Sequence, residues 1–177
     1  SQLGSGSTAG SATPVAVSGG LSFSAIATAE RHTCGITTAG AGYCWGDNSF
    51  GELGTGSTAN SSIPVAVSGG LSFSALATGG FHTCGLTTAG VAYCWGLNSS
   101  GQLGTGSTSD DSVPVAVAGG FSFNALAAGE IHTCGLTSSG TAYCWGDNSS
   151  GQLGDGSNPY SLIPAPVSGG LSFSALA

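Results

Sequence analysis

Apolar and polar positions alternate along the chain in short bursts separated by glycine. In "LSFSALA", at 71–77, Leu71, Phe73, Ala75 and Ala77 alternate with Ser72 and Ser74, the two-residue period of a strand with one buried face. Leu76 breaks the alternation, as expected of a strand whose later part is covered on both sides. "HTCGLT" and "AYCWG" flank "TAG", where Gly90 can supply the positive φ of a type I turn with a G1 bulge. "VPVAV" at 113–117 predicts a fourth strand, and Pro114 places it on an edge because proline has no N–H for a ladder. No segment shows the 3.6-residue period of an amphipathic helix.

Each of these elements returns every 50 residues. "SQLGSGS", "GELGTGS", "GQLGTGS" and "GQLGDGS" start at 1, 51, 101 and 151, and "LSFSAIA", "LSFSALA", "FSFNALA" and "LSFSALA" at 21, 71, 121 and 171. A fixed period of this length indicates a propeller, solenoid or array, and four short strands per period is the blade of a β-propeller. The expectation is an all-β chain of β-propeller blades, each of four short antiparallel strands, with about 3.5 repeats. Residues 1–27 form a half repeat (outer Pro strand plus inner strand), and 28–77, 78–127 and 128–177 are repeats of one continuous domain. The chain holds four copies of the Pro strand and of "LSFSALA" but three Cys hairpins. Three blades fall short of the four to eight of a closed ring, so a partial ring, a slice of a longer array, or a subunit pairing through its edge strands is expected.

The hairpin carries the candidate chemistry: "RHTCGITTAGAGYCWG", "FHTCGLTTAGVAYCWG" and "IHTCGLTSSGTAYCWG" each hold one His and two Cys. With Thr88, Ala89 and Gly90 as the loop, Leu86 faces Ala92, Gly85 faces Tyr93 and Cys84 faces Cys94 at a non-hydrogen-bonded position, where a cross-strand disulfide is feasible. The same register pairs Cys34 with Cys44 and Cys134 with Cys144. Buried free thiols remain an alternative, as does a metal held by His82, Cys84 and Cys94, although the Cys-x9-Cys spacing is not that of a structural zinc knuckle. Each His is expected to be a packing residue bonded to a nearby backbone carbonyl. Redox catalysis lacks a Cys-x-x-Cys at a helix start, and hydrolytic catalysis lacks a consistent set of acids, since Gly80 stands where Glu30 and Glu130 stand and Leu97 where Asp47 and Asp147 stand. The loop at 147–157 has too few well-spaced oxygens for calcium. No enzyme activity and no cofactor are expected.

Composition narrows the partners. The 177 residues include 33 Gly and only 5% charged residues, with one Arg, eight carboxylates and a net charge of -7. No basic stripe exists to neutralise phosphates, which excludes nucleic acid as an expected partner, and no apolar run is long enough for membrane insertion. Six evenly paired cysteines suggest an oxidising, extracellular or cell-surface setting. Sequons occur at Asn60, Asn98 and Asn148.

The string "HTCGLT..G.AYCWG.N..GQLG" resembles the repeat of the regulator of chromosome condensation family over the whole chain, and the paired cysteines resemble its secreted bacterial versions. The resemblance implies a β-propeller, normally seven-bladed, that binds proteins through its faces. The founding member's nucleotide exchange on a small GTPase is not implied, because no exchange loop stands out. Positions where the copies differ are those the fold leaves free. One set is Arg31, Phe81 and Ile131; the other is the loop ahead of the Pro strand, with Asn60, Asp110, Asp111 and Tyr160. These are the candidate partner-binding residues. The scarcity of exposed aromatics favours a structural protein that self-associates, with itself or longer copies of the repeat as partner, into a ring or filament through blade edges. The alternative is a secreted module that binds another extracellular protein through its loop face, as the resemblance to β-lactamase-inhibiting family members implies.

Overall fold

The computed structural model describes residues 1–177. It contains twelve strands in three sheets. The first sheet holds β1 (Phe23–Thr28), β2 (His32–Thr37), β3 (Gly42–Gly46) and β4 (Ser61–Ala66). The second holds β5 (Phe73–Thr78), β6 (His82–Thr87), β7 (Ala92–Gly96) and β8 (Asp111–Ala116). The third holds β9 (Phe123–Ala128), β10 (His132–Thr137), β11 (Ala142–Gly146) and β12 (Ser161–Pro166). Strands are antiparallel and sequential within each sheet, giving three four-stranded blades.

The central hairpin forms with the expected register: Leu86 opposite Ala92, Gly85 opposite Tyr93, Cys84 opposite Cys94. Gly90 adopts φ 80° and its N–H donates to the Thr87 carbonyl at 2.9 Å, closing the turn. The Cys84 and Cys94 Cα atoms are 4.1 Å apart and their sulfurs are bonded, as are those of Cys34 with Cys44 and Cys134 with Cys144. In this arrangement the paired sulfurs are bonded to each other, and the His82 ring, described below, turns to the neighbouring blade.

The first strand differs from its expected form. It begins at Phe73, and a register shift between Phe73 and Ala75 leaves Ser74 as an extra residue. The Ser74 hydroxyl donates to the Leu86 carbonyl at 3.1 Å and to the Thr87 carbonyl at 3.2 Å, which satisfies the irregular stretch. A bulge shifts the phase of alternation by one, so Phe73 and Leu76 lie on the same side, both against Gly85. Gly85 has no side chain for that reason: a Cβ there would collide with the Phe73 ring. The fourth strand starts at Asp111 rather than Val113, and it is an edge strand as Pro114 requires.

Two further expectations fail. Neither the Pro-Val-Ala-Val segment at 14–17 nor "LSFSALA" at 171–177 is a strand. A strand needs a hydrogen-bonding neighbour, and these copies have no Cys hairpin of their own to pair with. The blades accordingly span 23–66, 73–116 and 123–166, and repeats drawn from 28, 78 and 128 begin at the last residue of each first strand.

The core lies between blades rather than within one. Cys34, Ile36, Cys44 and Leu53 of the first repeat pack with Val67 and with Phe73 and Trp95 of the second blade. Cys84, Leu86, Ala92, Cys94 and Leu103 pack likewise with Phe123 and Trp145 of the third. The first strands of the three blades lie side by side, with β5 against β1, β2 and β9, whereas the fourth strands have no comparable neighbour in another blade. The apolar side of β1 shows what the junction supplies. Ile26 is 51% exposed, while its counterparts Leu76 and Leu126 are half-buried.

Candidate functional site: the loop end of the blades

Strand direction sorts the connections into two ends. The turns joining first and second strands (29–31, 79–81, 129–131) and the long loops joining third and fourth (47–60, 97–110, 147–160) share one end. The hairpin turns and blade-to-blade connections share the other. Both sets of candidate partner-binding residues therefore converge on the loop end.

The long loops hold the blades together. The Glu52 backbone carbonyl accepts hydrogen bonds from Trp95 Nε1 at 2.8 Å and Thr83 Oγ1 at 2.9 Å in the next blade. The Gln102 carbonyl serves Trp145 and Thr133 in the same way, and the Gln2 carbonyl serves Trp45 and Thr33. The Gly56 N–H continues the clasp by donating to the Ser112 carbonyl of β8 at 2.8 Å. "GQLG" is thus a junction element, and the close approach of its last glycine to the indole explains that residue: a Cβ on Gly54 would lie 2.8 Å from Trp95 Nε1.

The histidines belong to the same junctions. His32 Nε2 lies 2.8 Å from Thr83 Oγ1, and His82 Nε2 lies 2.8 Å from Thr133 Oγ1. This corrects the expected backbone-carbonyl partner. A threonine hydroxyl has one proton, and here it goes to the Glu52 or Gln102 carbonyl, so the imidazole must donate from Nε2. The other ring nitrogen, Nδ1, is buried without a partner in both residues. Burial pushes the His32 pKa down to about 4, partly offset by Asp47, and the fully buried His82 to about 3, with His32 and His132 adding to the effect. Both rings are neutral at physiological pH.

Asn48, Asn98 and Asn148 are fully buried and organise the loops. The Asn98 amide donates to the Ser107 and Ser109 carbonyls at 2.9 Å, and its Oδ1 accepts from Leu103 N at 2.9 Å. The sequons at Asn98 and Asn148 are therefore closed to glycans in the folded chain, and Asn60 alone is exposed.

Several candidate partner residues also have internal roles. Asn60 Oδ1 accepts from Asn48 N, and Asp110 Oδ1 from Asn98 N, each at 2.7 Å. Tyr160 stands at the equivalent position in the third blade and is 50% exposed. Asp111 is half-buried where β8 begins, opposite Gly96, and Ile131 is half-buried. Phe81, too, makes internal contacts. It is half-buried, its ring meeting Phe50 edge-on at 5.8 Å, with the Arg31 guanidinium 5.8 Å from its centroid. Arg31 is exposed and 3.6 Å from Asp47. Burial works against the Asp47 carboxylate, but hydrogen bonds from Ser49, Asn48 and Arg31 prevail and hold its pKa below the ordinary range.

Phe50 is the residue that sequence reasoning missed. It is 37% exposed and stands where the other repeats have Ser100 and Ser150. The within-chain comparison that singled out Phe81 would have found it. The pair bridges the first and second blades, and the equivalent positions of the second and third blades hold Ser100 and Ile131.

Three blades of four antiparallel strands, clasped through their loops around inter-blade cores, make this a β-propeller-type repeat protein. The regulator of chromosome condensation (RCC1) repeat matches residues 65–102, 115–152 and 139–175, together more than half of the sequence, and the chain belongs to that family. No curated protein matches it. Among solved structures it is similar to Prp20p from Saccharomyces cerevisiae, described with its binding properties to Gsp1p and histones, at 21% identity and TM-score 0.75, over 84% of this chain and 39% of that one. Human WBSCR16 matches at 24% identity and TM-score 0.73, over 81% of this chain and 37% of that one. The ectodomain of the Physcomitrella patens receptor kinase CR4 matches at 26% identity and TM-score 0.54, over 75% and 31%. The chain thus spans less than two fifths of the length of each.

Proposed function

We propose that this is a protein-binding module for an oxidising, extracellular setting, which engages its partner through the loop end with Phe50 and Phe81 as the anchor. The observation that carries the reading is the Phe50–Phe81 pair, a half-exposed aromatic contact at one junction of an otherwise repetitive, hydroxyl-rich face. Aromatic anchors of this kind dominate protein interfaces. Three disulfides suit the setting, and a receptor-kinase ectodomain shares the architecture. Binding to protein partners is described for Prp20p.

Self-association through blade edges, the reading that sequence alone favours, has less support. Each edge strand carries a proline (Pro64, Pro114, Pro164), and the Ser62, Ser112 and Leu162 carbonyls already accept from Gly6, Gly56 and Gly106. Proline and occupied carbonyls blunt an edge as a pairing template.

Selection of a displayed peptide or protein library against the protein tests the docking reading. The expected result is enriched ligands that lose binding to the F50S/F81I variant. Because Ser and Ile are the residues that other repeats carry at these positions, the blade should be retained, as circular dichroism would check. Ligands that bind the variant equally well would place the interaction elsewhere.

A further inference from the structure

The side-chain carboxylates of the chain belong to the turns and long loops of the loop end, with Asp155 reaching furthest from it, where its carbonyl accepts from the Ser168 hydroxyl beyond β12. Glu30 and Glu130 occupy first turns, Asp47, Glu52, Asp110, Asp147 and Asp155 lie in long loops, and Asp111 opens β8. The opposite end carries no charged residue: the hairpin turns at 38–41, 88–91 and 138–141 and the connections at 67–72 and 117–122 are built from Thr, Ser, Ala, Gly and a few apolar residues. A molecule with net charge -7 and no charged residue in its hairpin turns or blade-to-blade connections projects most of its negative field from the loop end.

At the first junction that field surrounds the aromatic pair. Glu30 directly precedes Arg31, and Asp47 N donates to the Arg31 carbonyl at 2.9 Å. Gly80, the neighbour of Phe81, donates to the Glu130 carbonyl at 3.1 Å. Leu97 N donates to the Phe81 carbonyl at 2.9 Å, and Asp110 accepts from the next amide, that of Asn98. Glu30, Asp47, Asp110 and Glu130, from all three blades, thus lie on segments that adjoin those carrying Phe50 and Phe81. The chain's single basic side chain sits here, with the Arg31 guanidinium near both the Phe81 ring and the Asp47 carboxylate. It shows the arrangement these segments accommodate, a cation held between an aromatic face and a carboxylate. Phe50 has no such cation over its own ring.

Resting on the docking reading above, we infer that the partner presents a cationic polypeptide segment, which sets an Arg or Lys on Phe50 and further basic residues against the surrounding carboxylates. Complementary charge steers such a segment to the loop end, and the aromatic pair fixes its position.

Fluorescence anisotropy with a labelled short peptide of alternating arginine and serine tests this, with glutamate–serine and glycine–serine peptides as controls. The arginine peptide is expected to bind at low ionic strength, to weaken about tenfold in F50S/F81I, and to weaken further in D110N/E130G and with added salt. Asn60 and Gly80 occupy the last two positions in other repeats, so these variants also keep the fold. Equal binding of the arginine peptide to wild type and F50S/F81I would mean diffuse adsorption and overturn the inference. So would absence of binding. A control peptide that binds instead, and is lost in F50S/F81I, would overturn the cationic inference while leaving the docking reading intact.

Discussion

One pair of repeat-equivalent positions shows how single residues tune identical blades. In the third blade Gln152 Nε2 donates to Asp147 Oδ2 at 2.6 Å. In the second, Leu97 replaces the acid, and Gln102 Nε2 is buried without a partner. In the first, the amide is replaced by Glu52, whose buried carboxyl is pushed above the usual range by desolvation, with Asp47 and Asp110 adding to it. Glu52→Gln and Leu97→Asp should each recreate the third-blade pair and stabilise the fold by about 1 kcal/mol at neutral pH, measurable by chemical denaturation. The Glu52→Gln gain should shrink on acidification, because protonating Glu52 relieves the same repulsion. The histidines act in the opposite direction. Their folded pKa values lie below the unfolded 6.5, so the stability from neutral imidazoles is complete above pH 6.5 and is lost as pH falls towards about 4 at His32 and about 3 at His82. The melting temperature should therefore decline over that window, and calorimetry across pH would reveal a flat profile if the rings were not buried at the junctions.

The hairpin was the most legible element, because a three-residue turn fixes register locally and everything up to Cys84 opposite Cys94 follows from counting. The bulge at Ser74 was not legible. Its signature is the broken alternation at Leu76, which coverage on both faces explains equally well until the pairing is seen. The roles of "GQLG" and of the histidines were hidden for a different reason. Their partners are backbone carbonyls and hydroxyls 31 to 51 residues away, reached only once blades stack. Stacking also grades the three staples. Cys34, Cys44, Cys84 and Cys94 are wholly buried under the following blade, whereas Cys134 is partly exposed. Under mild reductant, alkylation mapped by mass spectrometry should label Cys134 and Cys144 first, and uniform labelling would contradict the inter-blade core.

At the scale of the molecule, the period made the blade architecture readable, while the segregation of charge to one end needed strand directions that the repeat alone does not give. Cohesion between blades rests on the clasps. Gly54→Ala should press a methyl into the Trp95 indole at a backbone φ of 68°, costing about 1–3 kcal/mol at one junction. Calorimetry should then resolve the first blade melting ahead of the other two, and a single unshifted transition would show the clasp to be dispensable. The staples have a mechanical corollary. Each disulfide closes a sequence separation of ten residues, and force applied along the backbone bypasses that closed segment. Drawn out by its ends, the oxidised chain would reach a contour roughly 90 Å shorter than the reduced one. The redox state of the surroundings would thereby set how far this molecule can extend under tension.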